Sequence, residues 1–552
     1  MILQALVKRY EDTGEDSPGW QPRLVDYAIN LDDNGDVLEI IDLTKLEGKR
    51  RVRRTYIMPE EPQGRTSGIK PAFLCDNAGY LFGADPKRGK EKWEKSAELH
   101  HRVLSMVDSE DARALLRYFS HQRMPENLAE TGTYIFEVHG RRVHEDREVI
   151  DAWNSFRVKN VSSETIRCLV TGNQDTVATL HGKIALLGVS MGAVPLVSIN
   201  AESFTSYGKT ASDPAAAIGE EAAFAYTSAL NALLKSNDHH QRIGGDTLVY
   251  WAEKGGEPEA RAFSWFMKPG EDDSEKLTHI MKAIAQGEPS TIEGCELKKP
   301  FHLLCLSPNA GRISVRFFVS NTFGSILSNI LKHYQALALA KSGISKFEFL
   351  PPWMLLSETT VKKKSSDAAS LLGGQLLNSI VTGAMYPLTL YNAIIGRICA
   401  GEEVNRTKAA IIKAVLMRNY EESEVTTMAL NPDSDNKPYV LGRLFAVLER
   451  LQQQAAGGSL NATIRDRYFS SASSNPGNVF PTLLKLSVHH SAKLDNAVYF
   501  EKLKTDLLGR LDEQSPFPTA FSLEDQGRFI LGYYHQVQDF FTSKKDRENK
   551  ED

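Results

Sequence analysis

The segment RLVDYAINLDDNGDVLEIIDL (residues 23–43) predicts an antiparallel β-hairpin and so sets the fold class of the first part of the chain. Its first half carries apolar residues at every second position, the spacing of a strand with one buried face: Val25, Tyr27, Ile29 and Leu31. Asn34-Gly35 follows, a pair that readily adopts the positive φ angles of a tight type I′ turn. Residues 37–43 then predict the return strand.

Further strand and helix patterns follow up to about residue 355. The segment TYIFEVHGRRVH (133–144) predicts a second hairpin that turns at His139-Gly140. Apolar residues at helical spacing predict a helix over 220–235. Runs rich in β-branched or aromatic residues predict further strands: RCLVT (167–171), LVSIN (196–200), DTLVYWA (246–252) and ISVRFF (313–318).

The sequence pattern changes near residue 360. The segment VKKKSSD (361–367) is polar, basic and aperiodic, as linkers are. Beyond it most long segments have helical spacing, including a last helix over 525–540 and one apolar stripe: Leu441, Leu444, Phe445, Leu448 and Leu451. We therefore predict an α+β protein. A mixed α/β body with antiparallel sheets spans 1–360, a basic linker spans 361–367, and a helical bundle spans 368–552.

Composition excludes several classes of protein. The net charge is −5, with 41% hydrophobic and 24% charged residues, as in an ordinary folded protein without a global cationic coat. The five cysteines form no CxxC pair, so we expect neither a disulfide framework nor a thiolate zinc site. The N-terminal MILQALVKRYED is too short an apolar stretch for a signal peptide. We expect a cytoplasmic protein without metal or cofactor.

Positive charge is concentrated between residues 45 and 102, where 14 Lys/Arg stand against 8 Asp/Glu. The densest part is KRRVRR, which contributes Lys49, Arg50, Arg51, Arg53 and Arg54. On a single strand, Arg51 and Arg53 would share one face, with Arg50 and Arg54 on the other. Guanidinium groups in such an array bind phosphate backbones. The alternative is an edge strand that charge protects against aggregation.

The neighbouring segment RTSGIKPAFLCDNAGYLFG (65–83) combines turn-forming and polar residues. Gly68 and Gly79 allow a close approach of backbone to a nucleic acid, and Lys70 and Asn77 can reach base edges. In the minor groove the acceptors are adenine N3 and thymine O2. A purely structural loop is the alternative.

Enzyme motifs are sparse. Gly188-Val189-Ser190-Met191-Gly192 satisfies the G-x-S-x-G pattern of the serine hydrolases. That motif requires a helix directly after the serine, whereas Pro195 and a strand pattern follow here, and Asp246 and His302 are partners by position only. We expect no enzymatic activity. A serine hydrolase and a scaffold protein that binds no nucleic acid remain as alternatives.

Seven segments, in order along nearly the whole chain, resemble the large subunit of the type I-C CRISPR surveillance complex (Cascade), the Csd-type family. They are SGIKPAFLCDNAGYLFG, LVSINAESFTSYGK, DTLVYWAE, LSPNAGRISVRFF, AAIIKAVLMRN, YVLGRLFAVLERLQ and LNATIRDRYFSSAS. The family also carries a Gly- and Ser-rich stretch before a PLVSFN-like strand, which here reads GVSMGAVPLVSIN. Ser190 and Met191 depart from that family pattern.

The resemblance implies a non-enzymatic subunit of an antiviral ribonucleoprotein complex, located near the 5′ handle of the CRISPR RNA. Such subunits read the protospacer-adjacent motif (PAM) in duplex DNA, help to open the duplex for R-loop formation and dock the helicase–nuclease. The implied partners also include the displaced DNA strand and the backbone and processing subunits. We assign motif reading to Lys70 and Asn77, and contacts with the RNA handle or the complex to Asn200, Tyr207 and Lys209.

In this family an internal translation start yields a small subunit identical to the C-terminal part of the large one. Met428 would give residues 428–552, while the alternative Met417 lies inside a predicted helix. Candidate strand contacts in the bundle are Arg465, Arg467, Lys485, His489, His490 and Lys493. Tyr468 and Phe469 could stack on bases or belong to the core.

Overall fold

The computed structural model describes residues 1–552 except 14–18, 48–49, 63–64, 66–67, 123, 126–127, 130, 161–164, 191, 200, 206–207, 209–212, 286–291, 293, 341–346, 362, 366–370, 458–460, 495–496 and 542–552. The chain forms two compact units by its internal contacts. One comprises residues 1–184 and 195–231, and the other comprises 185–194 and 232–552. The predicted division at 361–367 stays a prediction.

Short strands and helices alternate in the first part of the chain. The strands are β1 (Trp20–Val25), β2 (Tyr27–Leu31), β3 (Val37–Asp42), β4 (Lys45–Glu47), β5 (Arg50–Val52), β6 (Arg54–Pro59), β7 (Cys75–Asn77), β8 (Thr133–Val138), β9 (Arg141–Arg142), β10 (Thr165–Arg167), β11 (Gln174–Thr176), β12 (Lys183–Ile184) and β13 (Val194–Pro195). The helices are α1 (Ile2–Thr13), α2 (Ala78–Leu81), α3 (Gly89–Leu104), α4 (Glu110–Tyr118), α5 (Arg147–Asn160) and α6 (Glu220–Lys235).

A five-stranded sheet organises this part, in the order β3-β2-β8-β7 with β9 paired to β8. The β2–β8 pair is parallel and the other pairs are antiparallel. Separate two-stranded ladders join β1 to β6 and β4 to β5. Aromatic side chains build much of the core beneath the sheet: Phe73, Phe82, Tyr118, Phe119, Tyr134 and Phe136.

Both predicted hairpins are confirmed, but the turn predicted for the first is wrong. Residues 32–36 form a five-residue loop in which Asp32 Oδ1 accepts hydrogen bonds from the backbone N–H groups of Asn34 (2.9 Å) and Asp36 (2.7 Å). Of the Asn34-Gly35 pair, only Gly35 has a positive φ, 74°. Because the Asp32 side chain organises the loop, no two-residue turn is needed.

The second hairpin has the tight turn that was predicted. His139 (φ 48°) and Gly140 (φ 77°) both lie in the left-handed region, and Val138 pairs with Arg141 across them. This geometry is that of a type I′ turn.

The second part of the chain begins with an antiparallel sheet in the order β14-β15-β16-β17. These strands are β14 (His240–Ile243), β15 (Asp246–Ala252), β16 (Pro300–Asn309) and β17 (Arg312–Thr322). Its helices are α7 (Glu257–Met267), α8 (Ser274–Ala285), α9 (Phe323–Leu337), α10 (Pro352–Ser357), α11 (Leu372–Thr382), α12 (Leu388–Cys399), α13 (Arg406–Asn419), α14 (Lys437–Ala455), α15 (Ile464–Ser474), α16 (Pro476–Ser491), α17 (Val498–Gly509) and α18 (Leu523–Phe541).

The predicted α+β class is confirmed, and so are most of the individual elements. The predicted helix over 220–235 coincides with α6, and the predicted strand over 246–252 coincides with β15. Two strand predictions are wrong in their bounds. At RCLVT, β10 ends at Arg167, because the chain turns back where the Gly172 N–H bonds the Cys168 carbonyl. At LVSIN, β13 ends at Pro195 and residues 196–199 are bends or irregular.

Helices α14 and α18 pack with their backbones in close contact. A Cβ at Gly442 would overlap the Phe529 carbonyl oxygen, and a Cβ at Gly532 would overlap that of Tyr439. Glycine at these two positions therefore lets the buried faces of both helices meet without a gap.

In the described part of the chain, no helix combines the length and the apolar character that crossing a membrane requires.

Candidate nucleic-acid interface

A buried carboxylate organises the loop between residues 65 and 80. The Asp76 side chain is only 1% exposed, and both of its oxygens lie 2.7 Å from Nη2 of Arg65. Asp76 Oδ2 also accepts a hydrogen bond from the backbone N–H of Ala72 (2.8 Å), and Oδ1 accepts one from that of Asn77 (2.8 Å). Burial alone would lower the pKa of Arg65, but hydrogen bonds and ion pairs with Asp76 and Glu61 together outweigh burial and raise it.

Tyr80 is the second support of this loop. Its hydroxyl oxygen accepts a hydrogen bond from the backbone N–H of Lys70 (3.2 Å). The guanidinium carbon of Arg65 lies 4.5 Å from the centre of the Tyr80 ring, and Lys92 Nζ lies 5.4 Å from it. Each such cation–π contact contributes about 0.5–2 kcal/mol, depending on how far water is excluded.

The loop is also joined to the β1–β6 ladder. Arg23, opposite Tyr56 in that ladder, donates a hydrogen bond from Nη1 to the Cys75 carbonyl (2.5 Å). Its Nη2 lies 3.5 Å from Glu61, which also pairs with Arg65. Hydrogen bonds and ion pairs therefore connect the loop to the ladder.

Lys70 and Asn77, the two residues predicted to read bases, are both exposed. Asn77 caps helix α2, because its Oδ1 accepts a hydrogen bond from the Gly79 N–H (3.0 Å). Among the described residues, none accepts a hydrogen bond from the Asn77 Nδ2 amide. That amide is a donor, which suits the acceptors adenine N3 and thymine O2 in the minor groove.

The two glycines of the loop differ in their surroundings. A Cβ at Gly68 would have no atom within 4 Å, so the backbone there is open to an approaching ligand. Gly79 is buried, and a Cβ there would lie 3.1 Å from Asn77 Oδ1. Glycine at position 79 therefore leaves room for the Asn77 cap. The predicted close approach of the Gly79 backbone to a nucleic acid stays a prediction.

The KRRVRR segment does not form the single strand that its pattern predicts. β5 ends at Val52 and pairs with β4, whereas β6 begins at Arg54 and pairs with β1. The predicted alternation of Arg51 and Arg53 on one face is therefore wrong, because the chain changes ladders at Arg53. Lys49 and the side chain of Arg50 lie outside the described residues.

Two arginines of this segment are held by carboxylates. Arg51 Nη2 lies 3.3 Å from Asp42 Oδ2, and Arg53 Nε lies 3.2 Å from Asp26 Oδ1. Both guanidinium groups are more than half exposed, so each ion pair contributes at most about 1 kcal/mol. Arg54 is exposed at the start of β6. We call Arg51, Arg53 and Arg54 the cationic strip.

Ion pairs also partly neutralise the rest of the cationic region between residues 45 and 102. Pairs of this kind join Arg88 to Glu91, Lys92 to Asp85 and Lys95 to Glu98. The positive surface is therefore smaller than the residue count indicates.

The candidate strand contacts of the helical bundle lie on α15 and α16 or follow them. Arg467, Lys485, His489 and Lys493 are exposed. Arg465 instead donates from Nη2 to the Glu402 carbonyl (2.7 Å) and so fixes a loop. Burial lowers the pKa of His490, and the nearby charges of Lys493 and His489 lower it further.

The two aromatic residues beside these cations pack inward. Phe469 is 4% exposed and forms part of the main hydrophobic core, against which the half-buried Tyr468 packs. Of the two predicted roles, a place in the core is the one that this packing favours.

The possible internal starts differ in their surroundings. Met428 is exposed between α13 and α14, and its carbonyl accepts a hydrogen bond from the Ala340 N–H (2.7 Å). Met417 lies within α13. The internal start stays a prediction.

The hydrolase-like string does not have the geometry of a nucleophile elbow. Residues 192–199 contain the two-residue strand β13, bends and irregular backbone, where the elbow requires a helix. Ser190 is exposed and its N–H bonds the Ala310 carbonyl (3.1 Å). Asp246 pairs with Arg316 (3.4 Å), and His302 lies 3.3 Å from Glu253.

Asn200, Tyr207 and Lys209 lie outside the described residues. Where the chain is described, no group of three or more His, Cys, Asp or Glu side chains is arranged to hold a metal ion.

The chain is a CRISPR-associated protein. Residues 3–541 match the Cas_Csd1 family, and the chain belongs to that family. The resemblance to the type I-C large subunit is thereby confirmed, and with it membership of a CRISPR Cascade complex that contains other Cas proteins. No curated protein matches the chain.

Proposed function

We propose that this chain reads the protospacer-adjacent motif in duplex DNA and helps to open the duplex for pairing with the CRISPR RNA. One observation carries the proposal. The exposed side chains of Lys70 and Asn77 project from a loop whose backbone is fixed by the buried Asp76 and by Tyr80. Exposed polar side chains on a rigid support are what readout of a base edge requires.

The two parts of the interface have different roles in this proposal. The cationic strip, together with Arg50 and Lys49, holds phosphates and fixes the register of the protein on the duplex. Lys70 and Asn77 then contact base edges in the minor groove. Sequence beyond the adjacent motif is tested by base pairing with the guide RNA and not by side chains.

We propose the remaining roles because the chain resembles the type I-C large subunit. The chain breaks no bond itself, and its surface receives the helicase–nuclease. Arg467, Lys485, His489 and Lys493 are exposed on the bundle, as contacts with a displaced strand would require. Residues 428–552 also form the separate small subunit.

The direct test is Asn77→Ala in the guide-loaded complex. Dissociation constants are measured for duplexes that share the target but differ in the bases beside it, at one salt concentration. We expect the preference for one flanking sequence to fall about tenfold, the effect of one lost base contact of about 1.4 kcal/mol.

Asn34→Ala is the matched control, because Asn34 is an exposed asparagine in the 32–36 loop of the same unit. It should leave the preference unchanged. A uniform loss of affinity for every flank in Asn77→Ala would make Asn77 a positioning contact and contradict its reading role.

A further inference from the structure

The two proposed reading residues share one internal support. Asp76 accepts hydrogen bonds from the backbone on both sides of the loop, from Ala72 through Oδ2 and from Asn77 through Oδ1. Arg65 contacts both of these oxygens at 2.7 Å. One ion pair therefore sets the separation between the segment that follows Lys70 and the residue Asn77.

Tyr80 joins Lys70 to the same ion pair. Its hydroxyl holds the Lys70 backbone N–H at 3.2 Å, while its ring lies against the Arg65 guanidinium. Displacement of Arg65 would release both the Asp76 carboxylate and the Tyr80 ring. The positions of Lys70 and Asn77 are therefore coupled through side chains that are themselves wholly or largely buried.

We propose that Arg65, Asp76 and Tyr80 are positioning residues that fix the spacing of Lys70 and Asn77, so that the two read the adjacent motif as one unit. This inference rests on the proposed function. A support fixed in advance removes the entropy loss of ordering the loop on binding. A change in the spacing of Lys70 and Asn77 should therefore weaken recognition of the correct flanking sequence. It should weaken the contacts with DNA phosphates less.

Tyr80→Phe is the sharpest variant, because it removes only the acceptor of the Lys70 N–H and keeps the ring beside Arg65. In the guide-loaded complex we expect the flank preference to fall three- to tenfold. The thermal midpoint and the salt dependence of binding should not change. Because Tyr80 acts through Lys70, adding Tyr80→Phe to Lys70→Ala should cause no further loss of preference.

Asp76→Asn and Glu61→Gln form a matched pair. Both residues bind Arg65, but only Asp76 also holds the loop backbone. We expect the flank preference to fall more in Asp76→Asn than in Tyr80→Phe, because Asp76 supports both reading residues. Glu61→Gln should lower the preference less than either, because Glu61 reaches the loop backbone only through Arg65 and Arg23.

The outcomes separate this inference from the proposed function. If the wild-type complex binds duplexes with every flanking sequence equally, the proposed function is wrong, and this inference, which depends on it, is wrong as well. If the preference exists and is lost in Asn77→Ala but is retained in Tyr80→Phe, the positioning role alone is overturned. The same holds if Tyr80→Phe and Glu61→Gln lose the preference equally.

Discussion

Asp42 and Asp26 each hold one arginine of the cationic strip, and we expect their neutralisation to tighten the binding of duplex DNA. Arg51 lies 3.3 Å from Asp42, and Arg53 lies 3.2 Å from Asp26. A phosphate that binds either guanidinium has to compete with this carboxylate. Asp42→Asn and Asp26→Asn remove the competing charge and also the repulsion between carboxylate and DNA.

The asparagine side chain keeps the local structure. Asp42 Oδ1 accepts a hydrogen bond from the Thr44 N–H (2.9 Å), and Asp26 Oδ2 accepts one from the Thr133 N–H (2.9 Å). An amide oxygen can accept the same bonds. Changes in affinity therefore report the charge and not a rearranged loop.

The expected magnitude follows from the exposure of the pairs. An exposed ion pair is worth about 0.2–1 kcal/mol, so each substitution should lower the dissociation constant by a factor of about 1.4 to 5. Each arginine that is released to bind a phosphate should also steepen the salt dependence of binding. The slope of the logarithm of the association constant against the logarithm of the salt concentration should become more negative by up to about 0.9.

The assay is a titration of labelled duplex with the guide-loaded complex at several salt concentrations. Arg51→Gln in the Asp42→Asn background is the control, because it should abolish the gain. An unchanged or weaker affinity in Asp42→Asn, with an unchanged thermal midpoint, would refute the contact between Arg51 and phosphate.

Three further predictions concern the rest of the chain. Burial lowers the pKa of Lys413 from 10.5 to about 8, so the unfolded state binds more protons than the folded state between these pH values. The free energy of unfolding should therefore rise with pH over this range, by up to about 3 kcal/mol. Lys413→Met should abolish this rise in denaturation curves of the full chain measured from pH 7 to 11. Met428→Leu should remove a co-purifying polypeptide of residues 428–552 from gels of the complex, and its persistence would favour Met417. Ser190→Ala should leave DNA binding unchanged, whereas the loss of a hydrolytic activity would support the serine-hydrolase alternative.

The elements that could be predicted from the sequence are those whose periodicity is local. The helix α6 and the strand β15 have the predicted bounds because an amphipathic or fully apolar run specifies them without help from the rest of the chain. The 32–36 loop was not predictable in this way, since a side chain, Asp32, supplies hydrogen bonds that a two-residue turn would otherwise need.

The site was predictable only in part. Lys70 and Asn77 are polar residues in a turn-rich segment, and the structure leaves both exposed. Their supports were missed, because Arg65 meets Asp76 and the Tyr80 ring only in three dimensions. The one local signal was Asp76 itself, a carboxylate directly after the apolar run AFLC, where a buried charge needs a partner.

The division of KRRVRR between two ladders could not be read from its charges. Alternation within one strand assumes that the strand is continuous. The pairing of β5 with β4 and of β6 with β1 depends on other segments, and in the β1–β6 ladder Pro59 pairs with Trp20, 39 residues away. Likewise, the carboxylates that pair with Arg51 and Arg53 come from neighbouring segments of the fold.

The central claim is that this chain gives its complex a preference for one short sequence beside the target. The measurement is the affinity of the complete guide-loaded complex for a set of duplexes that contain the same target and every combination of bases at the flanking positions, at constant salt. We predict that one small group of flanks binds at least tenfold more tightly than the rest. Equal affinity for all flanks, with the complex intact, would contradict the claim.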